Sequence, residues 1–155
     1  MTAHQPSPFL NAGMYGLDAL QTGDRIKTPA RMISAQDIDE FAALSGDRFA
    51  IHMDENYAIE AGFTGRVAHG LLVLSVIDGL KNQSDAQLDA IASLGWDISF
   101  TAPVIAGDTI SIIITITHLR ETSDNRRGIA TLEICASNQH GKIIQQGINR
   151  LMIKR

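Results

Sequence analysis

The chain has 155 residues, 45% of them hydrophobic and 19% charged, which is one domain's worth of near-average composition and excludes a disordered chain or a fibrous repeat. Lysine and arginine number 13 against 17 acidic residues, a net charge of -4, so general binding to nucleic acid or an anionic membrane is excluded while a polyanionic ligand on a local basic patch is not. The single cysteine, Cys135, rules out an intramolecular disulfide and a thiolate metal cluster.

The N-terminus lacks the basic start and apolar run of a secretory signal, and a cytoplasmic protein is expected. Residues 1–13 carry two prolines and no periodicity; they are expected to form a mobile N-terminal tail, leaving 14–155 as the domain. From Gly23 onward, Ile26, Thr28, Ala30 and Met32 alternate with Arg25, Lys27, Pro29 and Arg31, the period of a half-exposed strand, with Pro29 implying an edge or a bulge. Ser34 and Asp37 have the spacing of a capping box, and Ile38, Phe41, Ala42 and Ala43 predict a short helix ending near Gly46. Asp54 is placed to cap a second short helix through Ala58 and Ala61.

Between those helices lies GDRFAIHMD, and after them GFTGRVAHG, in which glycine density implies backbone approaching something closely. The residues GLLVLSVIDGL, from Gly70 to Leu80, are apolar on nearly every face and predict a fully buried helix. They fall far short of the roughly 20 residues of a membrane span. A polar linker over residues 81–87 leads into alternating segments: Trp96, Ile98 and Phe100; Ile110, Ile112, Ile114 and Ile116; Ala130, Leu132, Ile134 and Ala136. Turns are predicted at 123–128 and 138–141, and a final strand over about 142–153. The architecture expected is α+β, one buried helix wrapped by a curved antiparallel sheet.

No GxGxxG, P-loop, GxSxG or HExxH motif is present, so the chemistry on offer is the carboxylate and imidazole chemistry of residues 47–70. Asp47 and His52 are five positions apart, about 140° around a helix and on opposite faces of a strand. Only a bent segment brings them together, and Gly46 permits one. Converging on one water, they would activate it and return a proton to carbon. An Asp after a helix end is equally a turn residue and a lone His equally a core residue, so spacing leaves both readings open. Asp54 is read as a cap rather than a metal ligand, and no metal is expected. Ser75 and Asp78 share a face of the predicted helix, Asp78 being a carboxylate that needs a partner if buried.

The segments GDRFAIHMD and AGFTGRVAHGLL, followed by FTAPVIAGDTI, resemble the signatures of the MaoC-like, (R)-specific enoyl-CoA hydratase family, usually GDxNPxHxD and then gFxxxiaHG. The likeness spans residues 17–153. It implies the hot-dog fold, a long central helix wrapped by an antiparallel sheet. It also implies a hydro-lyase that reversibly adds water, syn, to trans-2-enoyl thioesters, with no cofactor beyond the coenzyme A or acyl-carrier-protein thioester that is the substrate. By the same resemblance Asp47 and His52 are the catalytic acid and base, and Gly70 is the backbone donor to the thioester oxygen, a role suited to a helix N-terminus.

Burial of Asp47 against Phe49 and the helix is the expected way to keep its carboxyl protonated for donation. The family's Asn-Pro is here Phe49-Ala50, so the loop has lost proline's fixed φ and the amide's hydrogen bonds. Phe49, Arg66, His69 and Ser75 are the candidate substrate-binding residues. Each has a plainer reading: core packing for Phe49, an exposed loop arginine for Arg66, a loop-fixing hydrogen bond for His69 and a satisfied core hydroxyl for Ser75. A homodimer is expected. The competing functions are a hot-dog thioesterase and a non-catalytic acyl-thioester-binding subunit of a heteromer.

Overall fold

The computed structural model describes residues 7–155. Three short strands come first, β1 (Gly13–Tyr15), β2 (Arg25–Lys27) and β3 (Arg31–Met32). The helices α1 (Ala35–Ser45), α2 (Ala50–Met53), α3 (Glu55–Glu60) and α4 (Gly70–Lys81) follow, and then the strands β4 (Ala86–Leu88), β5 (Ala90–Phe100), β6 (Thr109–Glu121), β7 (Arg127–Ser137) and β8 (Ile143–Lys154). The main sheet runs β2-β6-β7-β8-β5 with β3 also on β6, and every pairing in it is antiparallel. β1 and β4 form a separate parallel pair.

The inward face of the sheet follows the alternation in the sequence. Ile110, Ile112, Ile114 and Ile116 are buried, as are Ala130, Leu132, Ile134 and Ala136, and the two rows meet in register, Ile114 opposite Ile134 and Ile116 opposite Leu132. A bulge between Ile116 and His118 then shifts the phase, so that Leu119 rather than His118 packs on the core. The first strand departs from its predicted alternation. Ile26 and Thr28 are buried, but Met32 is 54% exposed and Ile33 takes the inward place. Pro29 breaks the strand into β2 and β3, and the pieces resume one residue out of phase.

The helix α4 lays Leu72, Val73, Val76, Ile77 and Leu80 on this face, but it is not fully buried: Leu71 is 60% exposed and Ser75 is exposed. Its last residue, Lys81, read as the start of a polar linker, is buried instead. The Lys81 ammonium donates to Asn149 Oδ1 at 3.0 Å, pairs with Asp78 Oδ1 at 2.8 Å and lies 4.9 Å from the Trp96 ring centroid. Asp78 thus has its partner. Asn149 passes the contact on, donating to Ser93 Oγ and the Gly95 carbonyl at the β5 bulge.

Of the tail expected over residues 1–13, residues 1–6 lie outside the described residues. Residues 7–13 run along β2, with the Leu10 N–H on the Arg25 carbonyl, the Arg25 guanidinium over the Phe9 ring, and β1 beginning at Gly13. Among the described residues no helix is long and apolar enough to cross a membrane. Replacing the buried Ile114 with alanine is expected to lower the unfolding free energy by about 3 kcal/mol, measured by denaturant titration.

Candidate active site

α1 delivers the chain to the site. Its N-terminus carries the reciprocal capping box, the Asp37 N–H on Ser34 Oγ and the Ser34 N–H on Asp37 Oδ2. Its C-terminus closes on Gly46 at φ 79°, a left-handed conformation that costs glycine nothing. The chain then turns sharply: the Asp47 N–H donates to Ser45 Oγ, the Phe49 N–H to Asp47 Oδ1, and the single turn of α2 carries His52. This bend sets His52 Nε2 3.9 Å from Asp47 Oδ2, too far for a direct hydrogen bond. A water about 2.8 Å from both would meet them at an angle of about 90°, close to its own geometry.

The segment preceding α4 grips this turn from the other side. The Val67 N–H donates to the Ile51 carbonyl, and Val67 is also bridged to Ile105. His52 Nδ1 lies 2.6 Å from the Val67 carbonyl oxygen. A carbonyl only accepts, so Nδ1 carries a proton and, in the neutral ring, Nε2 has its lone pair toward Asp47. Arg66 Nε donates to the His52 carbonyl at 2.6 Å and its Nη2 pairs with Asp39 on α1. The candidate substrate contact at Arg66 is therefore a strap that ties the α2 turn to α1.

His69, the N-cap residue of α4, is buried; its Nε2 donates to the Asp47 carbonyl at 2.8 Å, and its ring stacks on His52 with centroids 3.9 Å apart. Gly70 opens the helix, and among the described residues its N–H donates to no protein group. Two residues that local sequence patterns did not single out fix this helix end. Gln145 Nε2 donates to the Gly70 carbonyl at 2.8 Å, and the Phe100 ring lies so close that a Cβ at position 70 would stand 2.1 Å from it. Any larger residue there would have to displace the Phe100 ring. The one local sign of Gln145 is that it and Ile144 are buried in succession, against strand alternation, beside a register irregularity between β7 and β8.

His52 and Gly70 line a hollow of about 350 Å³ whose other walls include Ile51, Phe63, Val73, Phe100 and Val104. Larger hollows of about 410 and 630 Å³ lie elsewhere, beside Lys27 and Asp85 and beside Asp97 and Glu133, and contain none of these groups. Phe49 points away, 73% exposed, so the burial expected to cover Asp47 is not supplied by it; the Asp47 side chain is 40% exposed. Ser75 donates to the Leu71 carbonyl on the exposed face of α4, outside the hollow.

Asp47, His52 and His69 place potential ligand atoms within 4.8 Å of one another. The two imidazoles are stacked, with an interplanar angle of 27°, so their in-plane lone pairs run side by side rather than meeting at one point about 2.0–2.1 Å from each nitrogen. The arrangement suits proton transfer better than chelation.

The MaoC like domain family matches residues 19–138. The chain belongs to that family. It is similar to the (R)-specific enoyl-CoA hydratase of Aeromonas caviae, 33% identical over 131 residues that make up 83% of this chain and 92% of that protein. It is also similar to protein MaoC of Klebsiella aerogenes, 39% identical over 99 residues, 63% of this chain but only 29% of that longer protein. The MaoC-like dehydratase structure from Rhodospirillum rubrum superposes with a TM-score of 0.82 at 25% identity, covering 91% of this chain and 97% of that one. The hot-dog architecture expected from the sequence is the one observed.

If Arg66 acts as a strap, Arg66→Lys, which keeps the charge but loses the Nε donor, is expected to lower kcat about tenfold with KM changed less than twofold. Steady-state kinetics on a saturating enoyl thioester checks this; a selective rise in KM would return Arg66 to substrate binding.

Proposed function

We propose that this MaoC-like protein is a hydro-lyase that adds water, syn, across the double bond of a trans-2-enoyl thioester to give the (R)-3-hydroxyacyl thioester, and runs the reverse dehydration. The observation that carries the reading is the bare Nε2 of His52, 3.9 Å from the Asp47 carboxyl, in a bend whose histidine shares an apolar hollow with the open end of α4. The Aeromonas caviae relative is named an (R)-specific enoyl-CoA hydratase.

In the hydration direction His52 Nε2 takes a proton from water as the water oxygen bonds to C3. The C2–C3 π pair moves toward C2 and the thioester oxygen, whose developing charge faces the Gly70 N–H and the positive end of α4. A protonated Asp47 delivers its proton to C2. The products are one hydroxyacyl thioester, an imidazolium at His52 and a carboxylate at Asp47. Transfer of the proton from His52 to Asp47, across a gap that a water spans, resets the pair. The described walls of the hollow are mostly apolar, Ile51, Phe63, Val67, Val73, Phe100 and Val104 among them, which favours an uncharged acyl chain carried by coenzyme A or an acyl-carrier protein.

We further propose a homodimer. Among the described residues β5 is the edge of the main sheet and pairs with β8 alone; Ile91, Leu94 and Phe100 along it are exposed, and Phe100 lies against Gly70, whose neighbour Leu71 is exposed as well. A long apolar edge next to an apolar helix stripe is a surface that a second copy covers by symmetric pairing.

Loss of the conjugated enoyl absorbance on mixing with trans-2-enoyl-CoA is the expected signal. Asp47→Asn and His52→Ala are each expected to reduce kcat by about 10²- to 10⁴-fold; full activity in both would overturn the assignment, and release of free thiol without hydration would point to a thioesterase. Light scattering is expected to give twice the 16.8 kDa chain mass, falling to one chain in Leu94→Lys.

A further inference from the structure

His69 touches both members of the acid/base pair. Its Nε2–H holds the Asp47 carbonyl, its ring lies 3.9 Å from that of His52 and tilted by 27°, and Phe41 closes its far side with centroids 4.9 Å apart. A carbonyl accepts only, so the proton is on Nε2 and Nδ1 carries the lone pair. That Nδ1 is buried and has no hydrogen-bond partner among the described residues. Adding a proton there would bury an N–H with nothing to accept it. The ring stacked on the base thus presents its π face to His52, with no acceptor among the described residues beside Nδ1 for a second proton.

During hydration a positive charge appears on the His52 ring when Nε2 takes the water proton. Only 7% of His52 is exposed, so water contributes little to dispersing that charge; the Val67 carbonyl meets the ring at Nδ1 and the Asp47 carboxyl, 3.9 Å away, at Nε2, both from its edge. We propose, resting on the hydratase reading, that His69 is a positioning residue whose ring face supports the imidazolium formed on His52 in the transition state, in addition to tethering the Asp47 main chain. A tether alone requires only the Nε2–H; the stacking requires an aromatic face.

Two variants separate these. His69→Gln keeps a donor at about the Nε2 position and loses the face. His69→Phe keeps a face and loses the donor. A cation on an aromatic face is worth about a tenfold change in rate when partly desolvated, and it acts only where the charge has formed, so the effect falls on kcat.

The expected order of kcat is wild type, then His69→Phe, then His69→Gln about tenfold or more below wild type, with KM within about twofold throughout and a larger solvent deuterium effect in His69→Gln. The reverse order, with glutamine outperforming phenylalanine, overturns the proposal in favour of a tether. Where a variant fails to fold, as judged by circular dichroism, the imidazole ¹⁵N spectrum of the wild-type protein decides: a bare Nδ1 and protonated Nε2 on His69 support the proposal, and the opposite tautomer or a doubly protonated ring overturns it. Wild-type protein that hydrates no enoyl-CoA counts against the proposed function, whereas wild-type hydration with an unimpaired His69→Gln counts against His69 alone.

Discussion

The hydrogen bond between His52 Nδ1 and the Val67 carbonyl is the constraint on which the site depends. It decides which imidazole nitrogen has a free lone pair and turns that nitrogen toward Asp47. The carbonyl is itself held in place: the Val67 N–H is on Ile51, the Ala68 N–H is on Val104, and Val67 is bridged to Ile105. Residues 104 and 105 belong to the connection between the two long strands β5 and β6. His52, on a one-turn helix too short to be stable alone, is thereby referenced to the sheet.

The helix α4 is held in a similar way at both ends by one strand. β8 contributes two buried amides, Gln145 gripping the Gly70 carbonyl at the first residue of the helix and Asn149 accepting from Lys81 at the last. Buried amides are costly unless bonded; Asn149 is bonded at both its oxygen and its nitrogen, Gln145 through its nitrogen, and these bonds fix the register of helix on sheet. That fixes the direction of the Gly70 N–H. Phe100 packs on the same glycine, so the wall of the apolar hollow and the backbone donor are located by one contact.

The parts of this arrangement legible in the sequence are those written in local periodicity and local turns. The isoleucine row of β6, the cap at Ser34, the stop at Gly46 and the bend between Asp47 and His52 are all of that kind. Pro29 announced an irregularity, but not that the strand would resume out of phase and bury Ile33 in place of Met32. The apolar faces of α4 suggested complete burial because hydrophobicity does not say which neighbour covers a face; Leu71 is left exposed instead. Contacts between distant positions were not legible: the Arg66 strap to Asp39, the His69 bond to the Asp47 carbonyl and the Gln145 anchor each join residues 22 or more positions apart. Phe49 was misplaced for a related reason, since an N-cap position sets the backbone of α2 but not the direction of an aromatic side chain.

The central claim is that base and acid act on one face of the double bond, because a single bend sets His52 Nε2 and the Asp47 carboxyl side by side. Hydration of a trans-2-enoyl-CoA in D₂O tests it through the relative configuration of the product. Syn addition, with deuterium at C2 and the hydroxyl at C3 delivered to the same face, is the result this geometry requires. Anti addition would mean that the two groups do not work together from this bend.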